Sequence, residues 1–256
     1  MSIARKLQER INHAIIRFAR RLEPSPVDAY GERTMMYVPQ ADSSQPNAFL
    51  LDLALRAIEQ ARDISLAEIS TRRKPNATDF PDLWPGEHYR LLAALVLVLR
   101  PLTVVEIGTY HGLSALALMK FLPELGREFT FDIRPWSAFP DTCLRKEDFL
   151  DGRLVQILGN LGDDVVFDAH HELLAKADLI FLDAPKDGIF ERRFLGNLAK
   201  LEDAKPKTLV FDDIKTWKML AIWREITLPK LDLTSFGHWT GTGLVHWTKG
   251  GCNQGS

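Results

Sequence analysis

The stretch "TVVEIGTYHGLSALALMKF", residues 103–121, decides the fold. It opens as a short apolar, β-branched run and closes with apolar residues at helical spacing, so it reads as a buried strand turning into a helix. The turn holds Glu106, Gly108, Gly112 and Ser114. Glycines there let a ligand approach the backbone, because no Cβ stands in the way. Ser114 opens the helix, whose free N–H groups and dipole favour a carboxylate or phosphate. Glu106 sets an anion beside that helix end, and the pair suits an amino acid with its α-carboxylate and α-ammonium. A dinucleotide would call for G-x-G-x-x-G, which "GTYHGLS" does not supply.

Working outward, the alternation continues. "FTFDI" and "RLVQILG" read as strands, "ELLAKADLIFLDA" runs a helix end into a strand, and "FERRFLGNLAKL" is a helix. "TLVFDDI" is a strand, "KMLAIWREI" a helix, and "LDLTSFGHWTGTGLVHW" two strands joined by a Gly/Thr-rich turn. Apolar strands alternating with helices predict a mostly parallel sheet of an α/β protein, covered on both faces, with an antiparallel C-terminal edge hairpin. Before residue 103, helices are expected at about 48–61 and 87–99, the second stopped by Pro101. Residues 1–80 are read as a helical N-terminal extension and 81–256 as the main domain. The first segment sets Ile3, Leu7, Ile11, Ile15, Phe18 and Leu22 at helical spacing, with a basic opposite face. It reads as packing on its own domain or on a homodimer partner, and leaves open a peripheral membrane contact.

The composition narrows the class. Hydrophobic residues at 46% and charged ones at 26% are the balance of an ordinary soluble globule. A formal net charge of −2 gives no footprint for nucleic acid. Cys143 and Cys252 stand far apart without metal-ligand spacing, which predicts a reducing, cytoplasmic setting. The longest apolar run, "LLAALVLVL", is too short to span a bilayer.

In open α/β sheets the ligand sits beyond the carboxyl ends of the strands. Asp132 ends the second strand, where an acid bridges ribose hydroxyls. Gly159, Asn160 and Leu161 in "GNLGD" follow the third, and their small neighbours could admit a flat base. An amino-acid pocket, a ribose acid and a base slot, in that order, describe S-adenosylmethionine. "VEIGTYHGLSAL" resembles motif I of the class I methyltransferases, in particular the catechol O-methyltransferase-like group and its bacterial natural-product relatives. The resemblance covers about residues 84–249. It implies a Rossmann-like, seven-stranded fold with Glu106 and the turn at Gly108 lining the cofactor site. It also implies that Tyr110 and Ser114 contact the methionine part, Asp132 the ribose and Leu161 the adenine.

Asp183 in "LDAPKD" and Asp212 and Asp213 in "FDDI" emerge from strands expected to be neighbours. Converging carboxylates either bind a cation or become protonated. Oxygen-only ligands select Mg²⁺ or another hard divalent cation. Lys186, three residues after Asp183, is expected to have a pKa lowered by a nearby cation and sulfonium, which would make it the general base. The resemblance implies the same roles for Asp183, Lys186 and the pair at 212 and 213. The catechol enzymes carry Asp-Asn where this chain has Asp212-Asp213, and the macrolide-sugar O-methyltransferases resemble the all-aspartate arrangement. That moves the expected acceptor toward a sugar or other aliphatic hydroxyl of a small molecule.

His238, in "FGHWTGTG", is the alternative base, and residues 80–88, with Trp84 and His88, read as a lid. His111, His170 and His171 carry no metal spacing. Four tryptophans near the end (Trp217, Trp223, Trp239, Trp247) read chiefly as core, with an acceptor wall the other reading. Two rivals remain: a nicotinamide-dependent oxidoreductase, and a binding protein that keeps the cofactor without turnover.

Overall fold

The computed structural model describes residues 44–74, 79–201 and 205–248. The basic segment over residues 2–22 lies outside them.

α1 (Ala48–Asp63) starts where the Asn47 side chain accepts from the Leu50 N–H at 3.0 Å. Leu50, Leu53, Ala54, Ala57 and Ala61 form its buried face, at helical spacing. A single turn, α2 (Ala67–Ser70), leads toward α3 (Tyr89–Leu99), which is apolar nearly all round. Packing explains this, because α3 lies against both α1 and the helix after the first strand. It ends at Arg100, in the left-handed conformation with φ 52°, just before Pro101.

The strands are β1 (Thr103–Ile107), β2 (Arg127–Asp132), β3 (Leu154–Leu158), β4 (Leu179–Leu182), β5 (Lys207–Asp212), β6 (Lys230–Asp232) and β7 (Thr242–Trp247). The intervening helices are α4 (Leu113–Met119), α5 (Asp164–Ala169), α6 (His171–Lys176), α7 (Ile189–Ala199) and α8 (Met219–Glu225). They build one seven-stranded sheet of order β3-β2-β1-β4-β5-β7-β6. β1 to β5 pair in parallel, and β7 runs antiparallel to both β5 and β6. The expected mostly parallel sheet with an antiparallel C-terminal hairpin is what forms. The hairpin inserts with its last strand inward, so β7 rather than β6 borders β5. α1 and α2, assigned from sequence to the N-terminal extension, share one apolar core with Val104, Phe181 and Leu244 of the sheet. No described helix is long and apolar enough to cross a membrane.

Glu128 breaks the apolar pattern of the core. On β2 it is fully buried, and among the described residues neither carboxylate oxygen has a hydrogen-bond partner. Burial, with the charge of Glu106 behind it, raises its pKa well above the usual carboxylate range. The folded chain therefore holds a proton that the unfolded chain releases above its ordinary carboxylate pKa. The stability so linked is present at acid pH and lost as pH rises toward the folded pKa. Glu128→Leu is expected to stabilise the protein at neutral pH by about 1–3 kcal/mol and to flatten that pH dependence. Urea unfolding at pH 5 and pH 8 checks this, and an equal or lower stability of the variant at pH 8 counts against it.

Candidate active site

β1 and β4 are neighbours although two strands separate them in sequence, so the order reverses between them and opens a crevice at their carboxyl ends. Gly108 closes the first strand here with φ +106°. A Cβ on it would lie 2.2 Å from the Asp183 backbone oxygen, so only glycine lets the two strand ends meet. The Tyr110 and Arg134 N–H groups each donate at 3.0 Å to one oxygen of Asp132. That fixes the carboxylate while leaving each oxygen further acceptor capacity.

A cavity of about 490 Å³ follows, within the range of small-molecule sites. Gly108, Tyr110, Asp132, Gly159, Asn160, Leu161 and Asp183, all anticipated from sequence, line it. Phe139, Arg134 and Phe190 line it as well and were not anticipated. The other three expected cofactor residues stand behind the lining. Gly112, at φ +78°, packs against Leu144, and Ser114 is buried at the start of α4.

Glu106 departs furthest from expectation. It is fully buried, and burial pushes its pKa up to about 8 against the hydroxyls of Ser114 and Thr130. At neutral pH it is mostly a neutral acid rather than an anion facing a ligand. Its Oε2 accepts from Thr130 Oγ1 at 2.5 Å, and Thr130 Oγ1 in turn meets Thr109 Oγ1 at 2.7 Å. Gln156 Nε2 donates to Thr109 Oγ1 at 3.1 Å, so the chain of bonds ties β1, β2 and β3 beneath the crevice.

Beside the cavity, Asp183, Asp212 and Asp213 converge, each able to offer a carboxylate oxygen within 4.8 Å of the others. Lys186 stands among them. Its Nζ donates to Asp183, lies 2.5 Å from Asp213 Oδ2 and 3.8 Å from Asp212 Oδ2. Burial opposes the ammonium, but Asp183, Asp212 and Asp213 outweigh it and raise the Lys186 pKa further above its ordinary value. The lowered pKa expected from sequence belongs to a site that holds a cation and a sulfonium, and among the protein's own groups the direction is upward. In this arrangement Lys186 is a counter-ion held protonated, not a free base. Burial and the nearby Asp212 raise the Asp183 pKa against the pull of Lys186 and His88.

Asp212 has a second side. His238 Nδ1 lies 3.1 Å from its Oδ1, and His88 Nδ1 lies 3.4 Å from the same oxygen. These histidines hold the Asp212 pKa far below the usual range although burial acts the other way. Glu87 Oε2 approaches His238 Nε2 at 3.7 Å. The 80–88 segment, read as a lid, is tied down. Gly86 N–H donates to Gly237 O, Trp239 N–H donates to Gly86 O, each at 3.1 Å, and Trp84 Nε1–H donates to Phe236 O at 2.8 Å. Glu87 was missed and His88 was read only as part of the lid, since no local spacing joins either to position 238.

Five non-glycine residues in the described structure have positive φ, and four of them, Tyr110, Lys186, Asp213 and Trp217, lie on loops of this site. Such backbone disfavours L residues by about 1–2 kcal/mol each, so the surrounding contacts over-determine these loops. Of the four late tryptophans, Trp223 and Trp247 are core, whereas Trp217 and Trp239 are exposed. His170 Nδ1 bonds the Val166 carbonyl oxygen and His171 Nδ1 that of Asp168, both local to their helices.

Residues 105–214 match the family model described as a methyltransferase domain. No curated protein matches the chain. Among solved structures it is similar to the SAH-bound methyltransferase PaMTH1 of Podospora anserina, at 17% identity and TM-score 0.48, covering 89% of this chain and 98% of that one. It is also similar to the O-methyltransferase from Bacillus cereus in complex with SAH, at 14% identity and TM-score 0.46, covering 86% and 96%. A third is cofactor-bound Rv0187 from MTB, at 19% identity and TM-score 0.47, covering 89% and 99%. The match runs from within β1 to just past β5, the strands whose ends build both the cavity and the acidic cluster, so over residues 105–214 this chain is similar to a methyltransferase domain.

Proposed function

We propose that this chain is an O-methyltransferase that moves the methyl group of S-adenosylmethionine to a hydroxyl of a small molecule, with a hard divalent cation such as Mg²⁺ at Asp183, Asp212 and Asp213. The observation that carries this reading is that Asp183 belongs both to the wall of the cofactor cavity and to the acidic cluster. The three carboxylates supply the oxygen-only donor set that a hard cation takes, and a divalent ion there would take over the charge that Lys186 now balances. When bound, Mg²⁺ would lower the pKa of an acceptor hydroxyl and fix its oxygen.

The protein's own groups do the rest. In this reading Asp132 would hold the ribose hydroxyls and Leu161 and Phe190 would meet the flat base, all three lining the one cavity. Lys186 can take a proton only once its acids have another counter-charge, which makes proton uptake depend on a filled site. A second cavity of about 670 Å³, lined by Ala184 to Asp187, Trp217 and Lys218, adjoins the first along the Asp183–Asp187 loop. The exposed Trp217 ring suits the face of a sugar or phenol. Asp213, with an extra charge where the catechol enzymes have Asn, favours a neutral sugar or aliphatic hydroxyl over a catecholate.

A second reading of the base rests on His238, oriented by Asp212 at 3.1 Å. An oxidoreductase reading lacks the G-x-G-x-x-G turn, and a binding-protein reading would retain cofactor without turnover.

Calorimetric titration of S-adenosylmethionine, followed by transfer of labelled methyl to sugar and catechol panels with Mg²⁺ or chelator, tests the proposal. Cofactor binding and chelator-sensitive labelling of a hydroxyl are expected. Binding without any labelling would support the non-catalytic alternative, and labelling indifferent to chelator would remove the cation. Asp132→Ala is expected to weaken cofactor binding by roughly 10-fold or more, the usual cost of losing hydrogen bonds to a charged acceptor. An unchanged affinity would take Asp132 out of the ribose site.

A further inference from the structure

Asp212 meets different chemistry on its two oxygens. Oδ2 looks toward Lys186 and the oxygen-only cluster, whereas Oδ1 looks toward two imidazoles, of which His238 also lies 3.7 Å from Asp213 Oδ1. We propose that His88, Asp212 and His238 form a binding site for a divalent transition-metal ion such as Mn²⁺, Fe²⁺, Co²⁺ or Zn²⁺, separate from the hard-cation position on the other face of Asp212.

Three observations carry it. The first is that His88 is buried, and among the described residues neither ring nitrogen has a hydrogen-bond partner. Its Nδ1 pairs by charge with Asp212 Oδ1 at 3.4 Å, outside hydrogen-bond geometry, so Nε2 is the nitrogen left without a polar partner among the described residues. Buried imidazole nitrogens are costly to leave unpaired, and a metal satisfies one directly.

The second is spacing. An ion about 2.0–2.2 Å from N and O ligands places neighbouring ligand atoms about 3.0–3.4 Å apart. The two imidazole-to-carboxylate separations, 3.1 and 3.4 Å, already have that length. One ligand atom from each of the three residues lies within 4.8 Å of the others. The rings stand 5.2 Å apart at 84°, edge to face.

The third is outer support. Metal-bound histidines usually present their other nitrogen to a carboxylate. Glu87 Oε2 lies 3.7 Å from His238 Nε2, on the ring edge opposite Asp212. Thr240 Oγ1, 2.7 Å from His238 Nδ1, shares that nitrogen here and moves aside by rotation about one bond.

Two imidazoles and one carboxylate select first-row transition ions over Mg²⁺, which prefers oxygen. The ion would pin the 86–88 segment to the 237–240 loop, where backbone bonds already bridge Gly86 to Gly237 and Trp239. It would thereby fix Asp212 for the acceptor side.

The test uses the full chain stripped with a chelator and titrated with Co²⁺ alone, read by visible absorption. One equivalent of Co²⁺ with a nitrogen-coordinated visible spectrum is expected, surviving a large excess of Mg²⁺ and the Asp183→Asn substitution. His88→Gln and His238→Gln should each weaken Co²⁺ binding by more than roughly 10-fold, since even outer partners of a metal ligand cost that much. Thermal melting of the stripped variants checks their fold. If the buried His88→Gln unfolds, His238→Gln on its loop decides. Absence of the spectrum overturns the proposal, as does binding lost in Asp183→Asn but intact in both histidine variants. S-adenosylmethionine titration of the same samples keeps the outcomes apart, because cofactor binding without Co²⁺ binding leaves the methyltransferase reading standing and His238 free as a base.

Discussion

Gly108→Ala is expected to abolish measurable S-adenosylmethionine binding and to destabilise the fold by about 2–4 kcal/mol. Two costs add. The position holds φ +106°, where an L residue is strained by about 1–3 kcal/mol. The new methyl would also stand 2.2 Å from a backbone oxygen, that of Asp183, and no flexible side chain can yield there. Relief requires the end of β4 to move away from β1, which widens the crevice floor and displaces Asp183 from both the cavity and the acidic cluster. Scanning calorimetry should register a fall in melting temperature of roughly 5–15 °C for a domain of this size. A variant that melts like the native chain and binds cofactor with native affinity would show that the strand ends do not meet as described.

Lys186→Ala should have the second largest effect, and its sign with pH is the informative part. Removing the ammonium leaves Asp183, Asp212 and Asp213 facing one another with little access to water. Breaking a buried ion pair in this way costs about 3–5 kcal/mol. Asp183, already raised by burial and Asp212, loses the pull of Lys186 and rises further. For a carboxyl with a raised folded pKa, stability is full below the unfolded pKa and lost as pH climbs through the folded one. The deficit of the variant should therefore be largest at neutral pH and shrink on acidification. Divalent cations should raise its melting temperature more than that of the native chain, because they replace the missing charge. Melting curves from pH 4 to pH 8, with and without Mg²⁺, read both effects. A deficit independent of pH and of cation would mean that Lys186 does not neutralise the cluster.

The sheet and the crevice were legible in sequence because both are written locally. "TVVEIG" carries its strand in its own apolar run, and Gly108 announces a turn that nothing else fits. The ends of β2 and β3 could be read the same way, which is why Asp132 and Leu161 fall on the cavity wall. Glu106 misled because a sequence position does not say whether an acid faces a ligand or a helix, and here burial under α4 makes it a neutral bond partner of Thr130. Lys186 is a different case. The lowered pKa expected from sequence is that of a lysine beside a bound cation and sulfonium, whereas the protein's own three carboxylates, taken by themselves, raise it. The imidazole pair was beyond local reading altogether. His88 and His238 are 150 positions apart and meet only because the 84–88 segment is bonded to the loop before β7.

That loop has a consequence for how the protein is made. The strand beside Asp212 is β7, the last of the sheet to emerge during synthesis, and Thr242 on it accepts the His238 N–H at 2.8 Å. Until β7 slides in next to β5, the Asp212 strand is an open edge, available to any other unpaired strand. The nascent chain can close its cofactor crevice on β1 to β4 well before that. In that one late step His238 joins His88 on Asp212 and the sheet seals its edge.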